Sequence, residues 1–178
     1  MKARLKSVIL SAIGIVSAFS LVTLSSCDDK CKSVSCAYEG TCNEGKCICK
    51  TGYEGPQCET LTRKKFLGTW VVTEVGSISD GRQYTINIGE GPNLSQVKIA
   101  NFYNFFKSPV NAFVKGDTIN IISQDIDQYT IQGRGWIEDD HKYGDNGRIV
   151  VQYKVIDNEK NQTDDFGADG GTPSTWNK

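Results

Sequence analysis

After Cys58 the sequence contains no cysteine, the whole chain has a single histidine, and no segment carries the apolar period of an amphipathic helix. The missing thiols confine any disulfide framework to the first third of the chain. The histidine, His141, follows Asp139 and Asp140 in a turn-like stretch with no cysteine or activated serine to serve. A solvated loop histidine in a non-enzymatic chain is therefore the expectation, and an enzyme using Asp139, Asp140 or His141 the minor alternative. Positive charge is not in excess either. The formal net charge is −1, and three of the cations, Lys2, Arg4 and Lys6, lie at the extreme amino terminus. The remainder is mildly acidic, a poor match to nucleic acid.

Those three cations precede an uncharged, mostly apolar run from Ser7 to Leu24, and Leu24-Ser25-Ser26-Cys27 closes the segment with small residues. This is the three-part layout of a secretory signal. The run is also long enough to serve as a retained membrane helix, but its serines and glycine dilute it. Its ending resembles the lipobox of bacterial lipoproteins, which implies cleavage before Cys27 and acylation of its thiol. Each buried methylene contributes about 0.8 kcal/mol, so two or more acyl chains hold a protein stably where one holds marginally. Membrane lipid, reached through Cys27, is thus the first expected partner. Asp28 and Asp29 are compatible with retention at an inner membrane, with display outside the cell, or with a plain tether; the outer-membrane surface is the favoured placement, with the periplasmic face of a membrane as the alternative.

The other six cysteines, Cys31, Cys36, Cys42, Cys47, Cys49 and Cys58, follow the spacing C-x4-C-x5-C-x4-C-x-C-x8-C. The closing run Cys49-Lys50-Thr51-Gly52-Tyr53-Glu54-Gly55-Pro56-Gln57-Cys58 resembles the end of EGF-like domains. That resemblance implies the pairs Cys31 with Cys42, Cys36 with Cys47, and Cys49 with Cys58. About thirty residues cannot bury enough apolar surface to offset chain entropy, so such a module depends on its bridges. A zinc cluster is the weaker reading of Cys47-Ile48-Cys49, since structural zinc favours C-x2-C pairs. A calcium-binding variant would need more acids than Asp28 and Asp29, and an Asn or Asp with a partnering aromatic between the third and fourth cysteines, an interval that holds only Asn43-Glu44-Gly45-Lys46. No metal and no cofactor are expected.

From Phe66 onward apolar and polar residues alternate between Gly, Asn and Asp clusters, as half-buried strands do. Strands are expected at Gly68 to Val75, Gln83 to Ile88, Val97 to Phe102, Ala112 to Lys115, Thr118 to Ser123, Tyr129 to Glu138, Arg148 to Ile156 and Ser174 to Asn177. Lys115-Gly116-Asp117 and Asp145-Asn146-Gly147 read as turns. The fold class is all-β: a small disulfide-rich module, then an antiparallel meander closed as a barrel or folded as a sandwich. Gly68-Thr69-Trp70 resembles the G-x-W signature of lipocalin-like barrels, which implies a tryptophan plugging one end. The expected organisation is 1–26 signal peptide, 27–30 lipidated tether, 31–59 EGF-like module, 60–65 linker and 66–178 β domain.

Within the β domain the cluster Phe102, Tyr103, Phe105 and Phe106, with Trp136, is the best candidate for recognition, because aromatics stack on sugars or fill a partner's pocket. Neighbours in a strand point both ways, so at least half of the cluster is expected in the core. Asp157 to Asp165 lacks the central glycine and closing glutamate of an EF-hand and reads as a polar connection. Asn93-Leu94-Ser95 and Asn161-Gln162-Thr163 match glycosylation sequons that bacterial lipoproteins seldom use, and Asp117-Thr118-Ile119 resembles a short bacterial O-glycosylation motif. The functional expectation is a surface-displayed lipoprotein whose spacer presents a β domain to an extracellular protein or glycan. The alternative is a lipocalin-like carrier of a small apolar ligand.

Overall fold

The computed structural model describes residues 30–139, 141–143 and 147–178, with the side chain of His141 excepted. The signal segment, Cys27, its Asp28-Asp29 tether, Asp140 and the Asp145-Asn146 turn lie outside the described residues. Among the described residues, no helix is long and apolar enough to cross a membrane.

The first unit is small and stapled. Strands β1 (Thr41–Asn43) and β2 (Lys46–Ile48) form a hairpin, and β3 (Tyr53–Glu54) pairs with β4 (Thr60–Leu61). Disulfides join Cys31 to Cys42, Cys36 to Cys47 and Cys49 to Cys58, with Cα atoms 5.8, 5.6 and 5.3 Å apart. Tyr53, between the last two cysteines, stacks on Tyr38 at 4.4 Å. Two short hairpins bury little, and closing loops of this length is worth roughly 2–3 kcal/mol per bridge in the chain-entropy model.

The second unit is a closed barrel. Its wall runs β5 (Gly68–Glu74), β6 (Arg82–Glu90), β7 (Gln96–Ala100), β8 (Val110–Lys115), β9 (Thr118–Ile126), β10 (Tyr129–Glu138) and β11 (Arg148–Asp157). Each strand pairs antiparallel with the next. The eighth position is shared. β12 (Gln162–Phe166) pairs with the upper half of β11, and β13 (Ser174–Asn177) pairs with its lower half and with β5, which closes the ring. Among the described residues, closure leaves no long free edge for another chain to extend. Of the barrel and the sandwich, the barrel is the architecture present.

The alternation in the sequence explains the wall. Tyr84, Ile86 and Ile88, and likewise Ile149, Val151, Tyr153 and Val155, all point into the core. Each such side chain contributes roughly 1.5–3 kcal/mol by leaving water. The lumen is occupied by large rings: Trp70, Trp176, Tyr153, Phe66, Phe102 and Phe166 are all fully buried. Room for Tyr153 comes from its cross-strand partner Gly133, where a Cβ would stand 2.4 Å from Tyr153 Cβ and 2.6 Å from the Gln152 carbonyl.

The two ends differ. A 3-10 turn, Thr62–Lys65, lies at the lower end, where the Trp70 indole donates to the Phe66 carbonyl at 2.7 Å and the Lys178 ammonium sits 4.8 Å from the indole ring. The stapled unit packs there too: Thr62 N–H donates to the Gly52 carbonyl, Lys65 pairs with Glu54 and Asp117, and Gly52 rests on Leu94. Arg63 completes the joint, donating to the Gly91 and Asn93 carbonyls at 3.2 and 2.9 Å and pairing with Glu90. Residues 60–65, expected as a linker, are thus an ordered strand and turn. The upper end is formed by residues 75–81, 101–109, 127–128 and 158–161.

Two further expectations are corrected. The strand expected to run through Phe102 ends at Ala100, because Asn101, Tyr103 and Asn104 all have positive φ (59°, 59° and 50°). The connection expected from Asp157 to Asp165 contains most of β12, concealed in the sequence because its inward positions include Asp164 beside Phe166, while Asp165 in the same strand and Asp157 at the end of β11 accept backbone N–H groups.

Replacing Gly133 by Ala should lower stability by about 1–3 kcal/mol through overpacking, whereas Gly170→Ala, which meets nothing within 4 Å, should change little. Urea midpoints of the two variants decide; equal midpoints would contradict so close an approach of wall and ring.

Candidate functional site

Three inward positions of β5 read Trp70, Val72, Glu74, so an acid stands in an apolar register just below the upper rim. Its side chain is 0% exposed. An isolated buried carboxylate is strongly disfavoured, and here donors from three other strands offset that cost. Arg82 Nε and Tyr84 OH donate to Glu74 Oε1 at 3.0 and 2.8 Å. Tyr153 OH and Ser174 Oγ donate to Oε2 at 2.8 and 2.7 Å, and Ser174 in turn accepts from the Trp176 indole at 2.9 Å.

Arg82 links this network to the rim. Its guanidinium lies 4.0 Å from the centre of the Tyr103 ring. Tyr103, held at φ 59°, ψ 12°, donates to Asp164 Oδ2 at 2.9 Å, and Asp164 Oδ1 accepts the Ile78 N–H at 3.1 Å. Gly76 lies so close to Asp164 that a Cβ there would stand 2.0 Å from the carboxylate. The 75–81 loop, the 101–106 turn and β12 are therefore bolted together around one carboxylate. Ser79 Oγ and Arg82 Nη2, both shut off from solvent, have no hydrogen-bond partner among the described residues.

Burial, then the charge on Glu74, raises the ionisation of Tyr84 far above the ordinary phenol range. Burial, with Tyr84 and Glu74 beside it, does the same to Tyr153. Burial and the bond to Asp164 push Tyr103 up to about 12. Burial works against the charge of Arg82, but Glu74, Tyr103 and Tyr153 together outweigh it and the guanidinium is held protonated more firmly than usual.

Above this layer is a depression of about 370 Å³, bounded by Tyr103, Phe105, Tyr129, Asp157, Lys160 and Asp164 among others. The recognition candidates divide around it. Phe105 is 57% exposed at the rim, its ring 5.5 Å from Tyr129 and 5.6 Å from Phe106 in edge-to-face contact. Tyr103 is half-buried in the wall of the depression. Phe102 and Phe106 are corrected to core: the 3-10 turn drops Phe102 into the lumen against Tyr153 and Trp176, and Phe106 packs beneath Tyr103 and Tyr129. Trp136, half-buried near the lower end opposite Val150 and Thr118, is not part of this group. Glu74, Arg82, Tyr129 and Asp164 were not among the candidates; the signal for Glu74 was an acid at the third inward position of an alternating strand.

A second groove, of about 490 Å³, crosses the outer wall at Gln132 and Arg134. Its lining is mostly exposed polar or small residues such as Asn120, Ser123, Gln132, Arg134 and Ala168, whereas the mouth combines an exposed aromatic ring with two buried acids, Asp157 and Asp164, that have fixed partners, which makes the mouth the better candidate site.

Glu74→Ala should cost about 3–5 kcal/mol, because it leaves Arg82 and three hydroxyls without their acceptor. A loss below about 1 kcal/mol in a urea titration would mean the network is dispensable. The raised phenols fix the sign of the alkaline response: the folded state holds these protons more tightly than the unfolded chain, so their stabilisation is complete below pH about 10 and is lost as pH climbs through the folded values. Phenolate absorbance from Tyr84, Tyr103 and Tyr153 should appear together with loss of tryptophan fluorescence anisotropy; ionisation of all three in a still-folded barrel would contradict this.

No family model matches the sequence. Among solved structures the chain is similar to a redesigned β-barrel, at 12% identity and a TM-score of 0.41, over 66% of this chain and 94% of that one. The barrel described above rests on its own strand pairing.

Proposed function

We propose that the chain is an exported, non-enzymatic lipoprotein, acylated at Cys27, whose EGF-like module is a rigid spacer and whose barrel binds an extracellular molecule at its upper mouth. The observation that carries this reading is polarity: the stapled unit, which leads back toward Cys27, packs at the lower end, opposite Phe105 and the depression. An anchor on that side points the mouth away from the membrane. Three disulfides suit an oxidising compartment. The spacing of the six cysteines and the Gly52-Tyr53-Glu54-Gly55 closure support an EGF-like identity for the module, and Gly68-Thr69-Trp70 at the lower end supports a lipocalin-like one for the barrel. With Trp70, Trp176, Tyr153 and Phe102 filling the lumen, binding at the rim is favoured over carriage of an apolar ligand inside.

Cys27→Ser should abolish acyl labelling and leave uncleaved precursor; undiminished labelling would remove the anchor from the account. Protease added to intact cells should degrade the barrel. Complete protection, with outer-membrane integrity verified, would place it inside the envelope.

A further inference from the structure

We propose that the upper mouth is a saccharide site, in which the face of Phe105 stacks on a neutral sugar ring while Asp157, Lys160 and Gln162 meet its hydroxyl groups. This deepens the reading of the mouth as the binding end and rests on it.

The first ground is the platform. Phe105 is a large apolar side chain left 57% exposed, and it is not exposed by slackness: Tyr129 and Phe106 pack against its ring at interplanar angles of 78° and 81°. The turn that delivers it is strained, with three non-glycine residues at positive φ between Asn101 and Asn104. Each such residue is conformationally disfavoured, and the hydrogen bond from Tyr103 to Asp164 helps to hold the conformation. An aromatic face carries negative potential and attracts the weakly positive C–H face of a pyranose. A rigid platform also loses little entropy on binding.

The second ground is the polar side of the depression. Asp157 accepts the Glu159 and Lys160 N–H groups at 3.1 Å each and lies 3.3 Å from Lys160 Nζ. A carboxylate offers about four lone-pair sites and an ammonium three protons, so both keep capacity for a ligand. A fixed acid beside an exposed cation suits vicinal hydroxyls, one donating and its neighbour accepting. Gln162, exposed on β12, adds both functions.

Charge and shape narrow the class. The cations facing the mouth are matched in charge, Arg82 by Glu74 and Lys160 by Asp157, and Asp164 adds an acid, so the net charge there disfavours an anion. An apolar ligand would desolvate these acids without replacing their hydrogen bonds. A volume near 370 Å³ lies at the small end of ligand clefts and suits a chain end rather than a folded partner.

The test uses the full chain, expressed in a bacterial envelope and purified in detergent. Calorimetric titrations use neutral oligomers of glucose, mannose, galactose, xylose and N-acetylglucosamine, with polygalacturonate as the anionic counterpart. At least one neutral oligomer should bind. Phe105→Ala should weaken it about tenfold or more, while Ile122→Ala, at an exposed apolar position on the outer wall, should leave it unchanged. Thermal midpoints matching the parent establish that both variants fold, and Gln162→Ala supplies an independent weakening. No binding to any neutral oligomer, binding to polygalacturonate alone, equal loss in the Ile122 variant, or capture of an extracellular protein through Phe105 with no sugar bound would each overturn the assignment. Protease exposure on intact cells reads display separately, so a displayed barrel that ignores every sugar ends the saccharide proposal and leaves the display reading standing.

Discussion

Closing an eight-position sheet on itself requires that its first strand meet its last, and in this barrel the meeting is fastened by one buried carboxylate. Glu74 ends β5, and its donors come from β6, β11 and β13, so the acid ties its own hairpin partner to the strands that complete the ring. Only three residue pairs join β13 to β5 through the backbone. The side-chain network therefore reinforces a seam whose ladder is as short as any in the barrel. It also consumes the polarity of Tyr84, Tyr153 and Ser174, which would otherwise leave unsatisfied hydroxyls beneath the mouth.

From that layer upward each element is positioned by the one beneath it. Arg82, held by Glu74, lies against the Tyr103 ring; Tyr103, donating to Asp164, fixes the turn that carries Phe105; Asp164 also holds the 75–81 loop through Ile78. The rim is thus an extension of the core rather than a set of independent loops. Rigid placement of this kind is what a recognition surface built on loops needs, since geometry left to solvent would be averaged away.

Much of this was legible in the sequence, and the failures have causes. Alternating runs such as Ile149, Val151, Tyr153, Val155 place themselves, because burial on one face of a strand imposes a two-residue period. The division of the eighth strand into β12 and β13 was half visible: Ser174 to Asn177 has Trp176 facing inward, but Gln162 to Phe166 turns a carboxylate inward and so carries no apolar alternation. The aromatic cluster divides as expected, half of it in the core, but by a different device: the chain leaves the strand at Asn101, and the left-handed turn sends Phe102 and Phe106 inward and Phe105 out. Glu74 is in plain register, but only its four donors, one of them a hundred residues away, distinguish a buried network from a strand end.

The lower end gives the barrel its direction. Arg63 reaches from the 3-10 turn to the carbonyls of the β6–β7 connection and to Glu90, and Lys65 bridges Glu54 of the stapled unit to Asp117 of the barrel. Exposed ion pairs contribute little, but Arg63 is nearly buried and satisfies two carbonyls as well as a carboxylate, so it acts as a joint rather than a surface contact. A freely jointed module would average over orientations and give the mouth no preferred heading. With the joint made, whatever holds the amino-terminal side also sets which way Phe105 faces, and the same strand order that buries Glu74 carries that heading through the barrel to the rim.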